Sequence, residues 1–334
     1  MIPHSKTHIT QESKDSILKV MESGLLIKGK KHKLFESKFG ELVEKNYVDL
    51  TSSGAMAFFK ILSALNISEG DEVLIPNYIC SSLLGPIKFL KATPIIYDNK
   101  KNSWLSDNEI IKEKITVKTK LILINHTFGF LFNGIESLKN SISSEIALIE
   151  DCCHALSPKS LIGTTKISKH SLCSFYSFNA TKMIATGEGG AIATDESAFF
   201  EKISQIKLGD NLSDLSCSLG LQQLESLPKL INKRQEIATL YNRNFGSPNL
   251  YHESLFYRYP ILVDNNQVFL NSRSISYKLG VDTLISDTIE VKGVQNSKNI
   301  MSKIVSVPLY PALRDREIEE IIQTTKRLLN IESN

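Results

Sequence analysis

The sequence predicts an α/β protein: a mostly parallel seven-stranded sheet flanked by helices, with a smaller C-terminal α+β domain. Three observations carry this reading. Short β-rich runs recur through the first 194 residues, with helical stretches between most of them. Most runs are continuously apolar rather than alternating, as strands covered on both faces are. Beyond residue 194 the pattern changes to longer helical segments, one further strand and a closing helix.

The seven runs are YVDL (47–50), EVLIP (72–76), TPIIYD (93–98), KLILINH (120–126), IALIED (146–151), LCSFYSF (172–178) and GAIAT (190–194). Between them Thr10 reads as a helix cap with Gly24 as its stop, and Ser53 caps the apolar run AMAFFKILSAL. Helical segments follow over 196–208 and 215–244, then a strand FYRYPILV (256–263) and a closing helix near REIEEIIQTTKRLL. The expected division is a large domain over 1–235 and a small one over 236–334. A chain of 334 residues exceeds one ordinary core.

Composition narrows the function classes. Apolar residues make up 42% and charged residues 22%, the balance of a globular protein with a sizeable core. The 39 basic and 36 acidic residues are dispersed, with no basic block to grip nucleic acid or a membrane surface. No run has the length of a membrane span, and the start MIPHSKTHIT lacks the apolar core of a signal peptide, so a cytoplasmic protein is expected. Five cysteines form no CxxC pair and leave one over, against both a disulfide framework and a zinc ribbon. His4 and His8 have helical metal-pair spacing but lie in an unanchored stretch beside a proline, and no metal is expected.

The chemistry gathers at strand ends, where open α/β sheets bind ligands. The run IALIED passes from core residues into Asp151, followed by Cys152, Cys153 and His154. A carboxylate there needs a cationic or hydrogen-bonding partner, and no arginine is adjacent. An acidic residue at a strand end also commonly caps the next helix. Lys182 follows 31 residues later, between a hydroxyl-rich approach and the glycine turn GEGG. Most lysines decorate a wet surface, but one in a pocket can condense with an aldehyde, and a buried aspartate can hold a protonated pyridine nitrogen. Read together, the two describe a pyridoxal phosphate site. TSSGAMAF (51–58) adds an anion cradle where a strand turns into a helix, with Ser53, Gly54, Ala55 and Met56 as candidates.

These residues resemble the DegT/DnrJ/EryC1/StrS aminotransferases. The resemblance runs in order through SGLLIKG, SSGAMAF, GDEVLIPNY, KATPIIYD, IEDCCHAL, SFYSFNATKMIATGEGGAIAT, SLGLQQLESL and VSVPLYPAL. It implies the fold of a fold-type-I pyridoxal 5′-phosphate enzyme and a homodimer whose active sites are shared between subunits. Lys182 would be the catalytic lysine, Asp151 the partner of the pyridinium nitrogen and Ser177 a phosphate ligand. His154 would lie near the phenolic oxygen and Cys153 against one ring face. The implied reaction moves an amino group from an amino acid, glutamate by resemblance, to a keto acceptor such as a nucleotide-linked keto sugar in surface polysaccharide or secondary-metabolite biosynthesis. Other Cα chemistry, a ketone not linked to a nucleotide, and an idle cofactor-binding protein are the alternatives.

The departures bear on substrate. Ala55 stands where the family usually has threonine, and Cys80 where it has the ring-stacking aromatic, with Tyr78 near enough to compensate. KLGDNLSD replaces the partner-subunit YNYR stretch, leaving Asn211 as the candidate to reach the neighbour's phosphate. GVDTLISDTIEVKG is a shortened counterpart of the substrate loop.

Overall fold

The structure is a computed structural model, and it describes residues 1–156, 167–246 and 254–330. Its main sheet holds β1 (Tyr47–Thr51), β2 (Glu72–Pro76), β3 (Thr93–Tyr97), β4 (Thr119–Asn125), β5 (Ala147–Asp151), β6 (Cys173–Ser177) and β7 (Gly190–Thr194). The strand order is β1-β7-β6-β5-β4-β2-β3. β7 runs antiparallel to both of its neighbours, and every other pairing is parallel.

Alternate residues of one strand enter different cores, which explains the continuous apolar runs. Leu121 and Leu123 of β4 pack on one face with Phe58 and Ile61, while Ile122 and Ile124 pack on the other with Ile135 and Leu138.

Local chemistry sets the helices. In α1 (Gln11–Ser23), Thr10 Oγ1 accepts the Ser13 N–H at 3.2 Å, and Gly24 ends the helix at φ 68°. Along α2 (Lys30–Val43), Phe35, Phe39 and Val43 recur at one face and are buried. Ser53 Oγ accepts the Met56 N–H at 3.1 Å to start α3 (Gly54–Ala64). The short helices α4 (Leu84–Phe89), α5 (Asn108–Lys112) and α6 (Ile135–Ser141), and then α7 (Ser197–Gln205), complete the layers.

α8 (Asp214–Phe245) is a continuous helix of 32 residues, and the expected boundary at 236 falls inside it. Cys217, Leu227 and Ile231 pack with Phe35 and Phe39, whereas Ile237, Tyr241 and Phe245 pack in a separate core with Tyr259 and Val305. The helix therefore changes cores near that position. The second core is roofed by β8 (Tyr259–Leu262), α9 (Gln267–Leu270), β9 (Ile304–Val307) and α11 (Asp315–Leu328), while Ile300 of α10 (Gln295–Lys303) packs instead with Tyr78 and Phe128. β8 and β9 are antiparallel.

Two details depart from the sequence expectations. The strand expected over 256–263 contracts to Tyr259–Leu262, because Phe256 sits at φ 50° and breaks the ladder. Residues 1–8 join both cores: Ile2 pairs with Ile275 and packs in the second core, while Thr7 Oγ1 donates to Ala180 O at 2.6 Å beside Lys182.

Candidate active site

Register brings the site to one edge of the sheet. Thr51 pairs with Gly190, and Gly190 pairs with Ser177, so the turn into α3 lies beside the end of β6. Two strands away Asn125 pairs with Asp151, which closes β5. Because β7 runs against the others, the hairpin joining β6 to β7 projects from this same edge. Lys182 lies on that hairpin, whose neck is closed by Phe178 N–H to Gly189 O and Thr186 N–H to Phe178 O, each 2.8 Å.

The glycines after Lys182 have specific causes. Gly189 adopts φ 148°, a conformation that side chains disfavour. A Cβ on Gly190 would stand 2.5 Å from the Ser53 carbonyl carbon and oxygen. A Cβ on Gly54 would meet the Cys153 sulfur and the Ser177 Cβ, each at 3.2 Å. The chain backbones thus approach one another as closely as they can around the start of α3.

These groups border a cavity of about 530 Å³, ample for a small molecule. Ser53, Gly54, Ala55, Cys80, Asp151, Cys153, His154, Ser177 and Lys182 all line it. Met56 does not: its side chain is absent from the wall, and its N–H is committed to Ser53 Oγ. Asn211 is exposed on the loop between α7 and α8 and is outside the cavity wall of its own chain. Tyr78 is fully buried in a cluster with Phe128, Val281 and Leu284, packed where only the hydrogen of Gly280 leaves room. Tyr78 borders the cavity but has no exposure, whereas Cys80 is exposed at the same wall.

The electrostatics fit pyridoxal phosphate. Burial raises the Asp151 carboxyl, only partly offset by the Cys153 N–H that donates to its Oδ1 at 2.9 Å, the Cys153 thiol and the Lys182 charge. A buried acid of this kind lacks a strong donor, which a protonated ring nitrogen supplies. Burial works against the Lys182 ammonium, yet Tyr257, Cys153 and Asp151 hold it above its ordinary value. The start of α3, with Ser53 and Gly54, offers the partial positive charge a phosphate needs, and Ser177 stands against it.

His154 has two aromatic neighbours. Its ring lies nearly parallel to that of Tyr257 at 4.3 Å and to that of Phe128 at 6.5 Å. Nδ1 accepts the Phe128 N–H at 3.4 Å, and burial with the Lys182 and Arg258 charges pushes the imidazole well down, so it is neutral. Phe128 itself sits at φ 62°, a strained conformation for a bulky residue beside a ligand cavity.

Sequence reasoning missed Tyr257 and Arg258, which enter the cavity from just ahead of β8. Lys182 Nζ lies 5.1 Å from the Tyr257 ring centroid. The only available signal was a tyrosine and an arginine at the start of an otherwise apolar strand. Behind the site, His126, Glu150 and Cys152 form a buried trio of metal-ligand types. Their polar atoms are already used: His126 Nε2 pairs with Glu150 at 2.9 Å, Nδ1 accepts the Phe132 N–H, and Glu150 accepts from Ser168 and Ser171. His4 is buried against Ser306 in an extended segment, where helical spacing to His8 has no meaning.

Comparison with known proteins agrees with this geometry. The model of the DegT/DnrJ/EryC1/StrS aminotransferase family matches residues 7–326. GDP-perosamine synthase of Escherichia coli O157:H7 is 30% identical over 266 residues, covering 74% of this chain and 72% of that protein. The spore coat polysaccharide biosynthesis protein SpsC of Bacillus subtilis is 24% identical over 379 residues, covering 98% and 97%. Among solved structures, the putative sugar aminotransferase Spr1654 from Streptococcus pneumoniae in its PLP form superposes with a TM-score of 0.88 at 22% identity, covering 99% of this chain and 100% of that one.

Proposed function

The chain belongs to the DegT/DnrJ/EryC1/StrS aminotransferase family and is a pyridoxal 5′-phosphate-dependent aminotransferase, and from that premise we propose that it aminates a nucleotide-linked keto sugar with glutamate as donor. Supporting the acceptor class are relatives whose names refer to GDP-perosamine and to a spore coat polysaccharide. The observation that carries the assignment of roles is the pairing, in one cavity, of a buried proton-seeking Asp151 with a Lys182 hairpin closed by glycines.

When bound, the cofactor supplies a ring that takes up the electron pair freed at the donor's α-carbon and stores the amine between two half-reactions. The residues of the chain do the rest. Lys182 Nζ holds the cofactor covalently at rest, and once displaced its amine carries the proton away from the donor's α-carbon. Asp151 takes the hydrogen bond of the protonated ring nitrogen. Ser53, Gly54 and Ser177 hold the phosphate, with Ala55 contributing backbone in place of a hydroxyl. Cys153, Cys80 and the neutral His154 line the cavity and would hold the ring of the cofactor.

The site is completed by a second copy of the chain. Leu25 and Ile27 are 73% and 81% exposed, an unusual position for such side chains. The same segment is tied to the Asn211 loop by the Asp214 N–H, which donates to Leu26 O at 3.1 Å. Asn211 of each copy then serves the neighbour's cavity. Five free cysteines fit a cytoplasmic enzyme, and among the described residues no helix is long and apolar enough to cross a membrane. With its dispersed charge the enzyme has small-molecule partners and no nucleic-acid surface.

Two measurements test the reading. Borohydride reduction of the loaded enzyme should fix the cofactor's mass on Lys182, and Lys182→Ala should abolish both that adduct and the visible absorption band. Enzyme preloaded with amine should then transfer it to a nucleotide-linked keto sugar in a mass-spectrometric acceptor screen. Transfer only to free ketones or keto acids would refute the acceptor class.

A further inference from the structure

Arg258 is half-buried in the cavity wall. Its Nη1 donates to the Leu279 carbonyl at 3.0 Å, with Gly280 O at 3.5 Å, and Nη2 donates to the Tyr257 hydroxyl at 3.4 Å. Among the described residues no carboxylate lies within ion-pair distance of the guanidinium. Asp282 lines the same cavity, but beyond that distance. The nearby imidazole offers no neutralising or competing charge: burial, then Arg258 and Lys278, push His4 down to about 3, so it is neutral. A half-buried guanidinium held by carbonyls and a phenol is oriented without being neutralised, which is how a binding site for an anion is prepared.

Position indicates which anion. Lys182 Nζ and Arg258 Cζ lie 5.1 and 5.2 Å from the centroid of the same Tyr257 ring, so they are at most about 10 Å apart. Arg258 also lines the narrow crevice behind Lys182, together with Thr181 and His4. It therefore stands beside Lys182 in both spaces, within reach of the ligand atoms nearest the reacting carbon. In an amino acid the carboxylate is bonded directly to that carbon. In a nucleotide-linked sugar the phosphates are several bonds away from that carbon.

We propose that Arg258 binds the carboxylate of the amino donor and is a determinant of donor specificity. The inference rests on the transaminase reading above. It confines Arg258 to the donor half-reaction: the keto sugar, which has no carboxylate at its reacting carbon, gains nothing from it.

Glutarate, a dicarboxylate with no amine to transfer, is the direct probe. Calorimetry should detect its binding to the loaded wild-type enzyme, with affinity at least about thirtyfold weaker in Arg258→Gln and intermediate in Arg258→Lys. The glutamate concentration needed to discharge the visible band should rise in parallel. Unchanged glutarate affinity in Arg258→Gln overturns the assignment, as does loss of bound cofactor in both variants, which would make Arg258 a structural part of the wall. Wild-type enzyme that binds glutarate through Arg258 yet transfers no amine from any donor would instead refute the transaminase reading, so the two failures are distinct.

Discussion

The Tyr257 ring stacks on the His154 imidazole, centroids 4.3 Å apart and planes inclined by 24°. That contact joins the end of β5 to the segment ahead of β8 at the cavity, since His154 follows β5 of the main sheet and Tyr257 precedes β8. Burial alone would raise the Tyr257 phenol, but the Lys182 and Arg258 charges and hydrogen bonds from Thr181 and Arg258 bring it down to about 8.

A pH-dependent stability follows for the cofactor-free protein. The folded phenol ionises near 8 and the unfolded one near its ordinary value of about 10, so the folded state releases its proton first. An acid depressed by folding contributes stability that is absent below the folded value and grows until the unfolded value is passed. Wild type should therefore gain up to about 2 kcal/mol on Tyr257→Phe between about pH 8 and 10. Lys182, held above its ordinary value, keeps its charge through this window. Thermal melts of both proteins across that range test this, and a constant difference would rule out an ionised phenol.

Asp151 should show the opposite trade. Its folded carboxyl is raised by burial, so the ionised form costs stability above the folded value and the cost vanishes in acid. At neutral pH the cofactor-free Asp151→Asn protein should be more stable than wild type by about 1 kcal/mol or more, with the gain disappearing at low pH. The same variant should lose at least about a hundredfold in transamination rate, because the amide cannot keep the ring nitrogen protonated. Melting temperatures with and without cofactor, alongside single-turnover rates, separate the two effects.

The legibility of this site depended on where its residues sit in the chain. Asp151 and Lys182 could be read because each closes or follows a strand of the main sheet, and the glycines after Lys182 announce a crowded turn. Tyr257 and Arg258 could not, because only the turn at Phe256 takes them out of the β8 ladder and toward the cavity. A positive φ at a phenylalanine has no signature in sequence. Met56 lies outside the cavity wall for a related reason: the capping bond that identifies Ser53 as the start of α3 also engages the Met56 amide. The antiparallel course of β7 was equally hidden, since a buried strand has the same composition in either direction.

Gly190→Ala tests whether the close approach of β7 to the turn at Ser53 serves the cofactor. The added methyl would stand 2.5 Å from the Ser53 carbonyl, and both partners are backbone, so neither can swing aside. Overpacking of this kind costs about 1–3 kcal/mol. Because the displaced group begins the proposed phosphate cradle, cofactor affinity should fall further than stability alone requires. Equilibrium dialysis of cofactor and urea denaturation of the cofactor-free protein measure the two losses, and equal losses would mean the contact is structural only.

Cys80→Tyr offers the converse, a gain. Cys80 is exposed at the cavity wall, whereas Tyr78 borders the cavity fully buried. A thiol covers little of an aromatic face, whereas a stacked ring is worth about 0.5–1.5 kcal/mol beyond the area it buries. The variant should hold pyridoxal phosphate about two- to tenfold more tightly, read from the rate at which cofactor is lost on dialysis. Tighter holding should also slow departure of the aminated cofactor between half-reactions. If affinity instead falls, the small residue at this wall is there to leave room for substrate, and its replacement should raise KM for the acceptor while leaving glutamate unaffected.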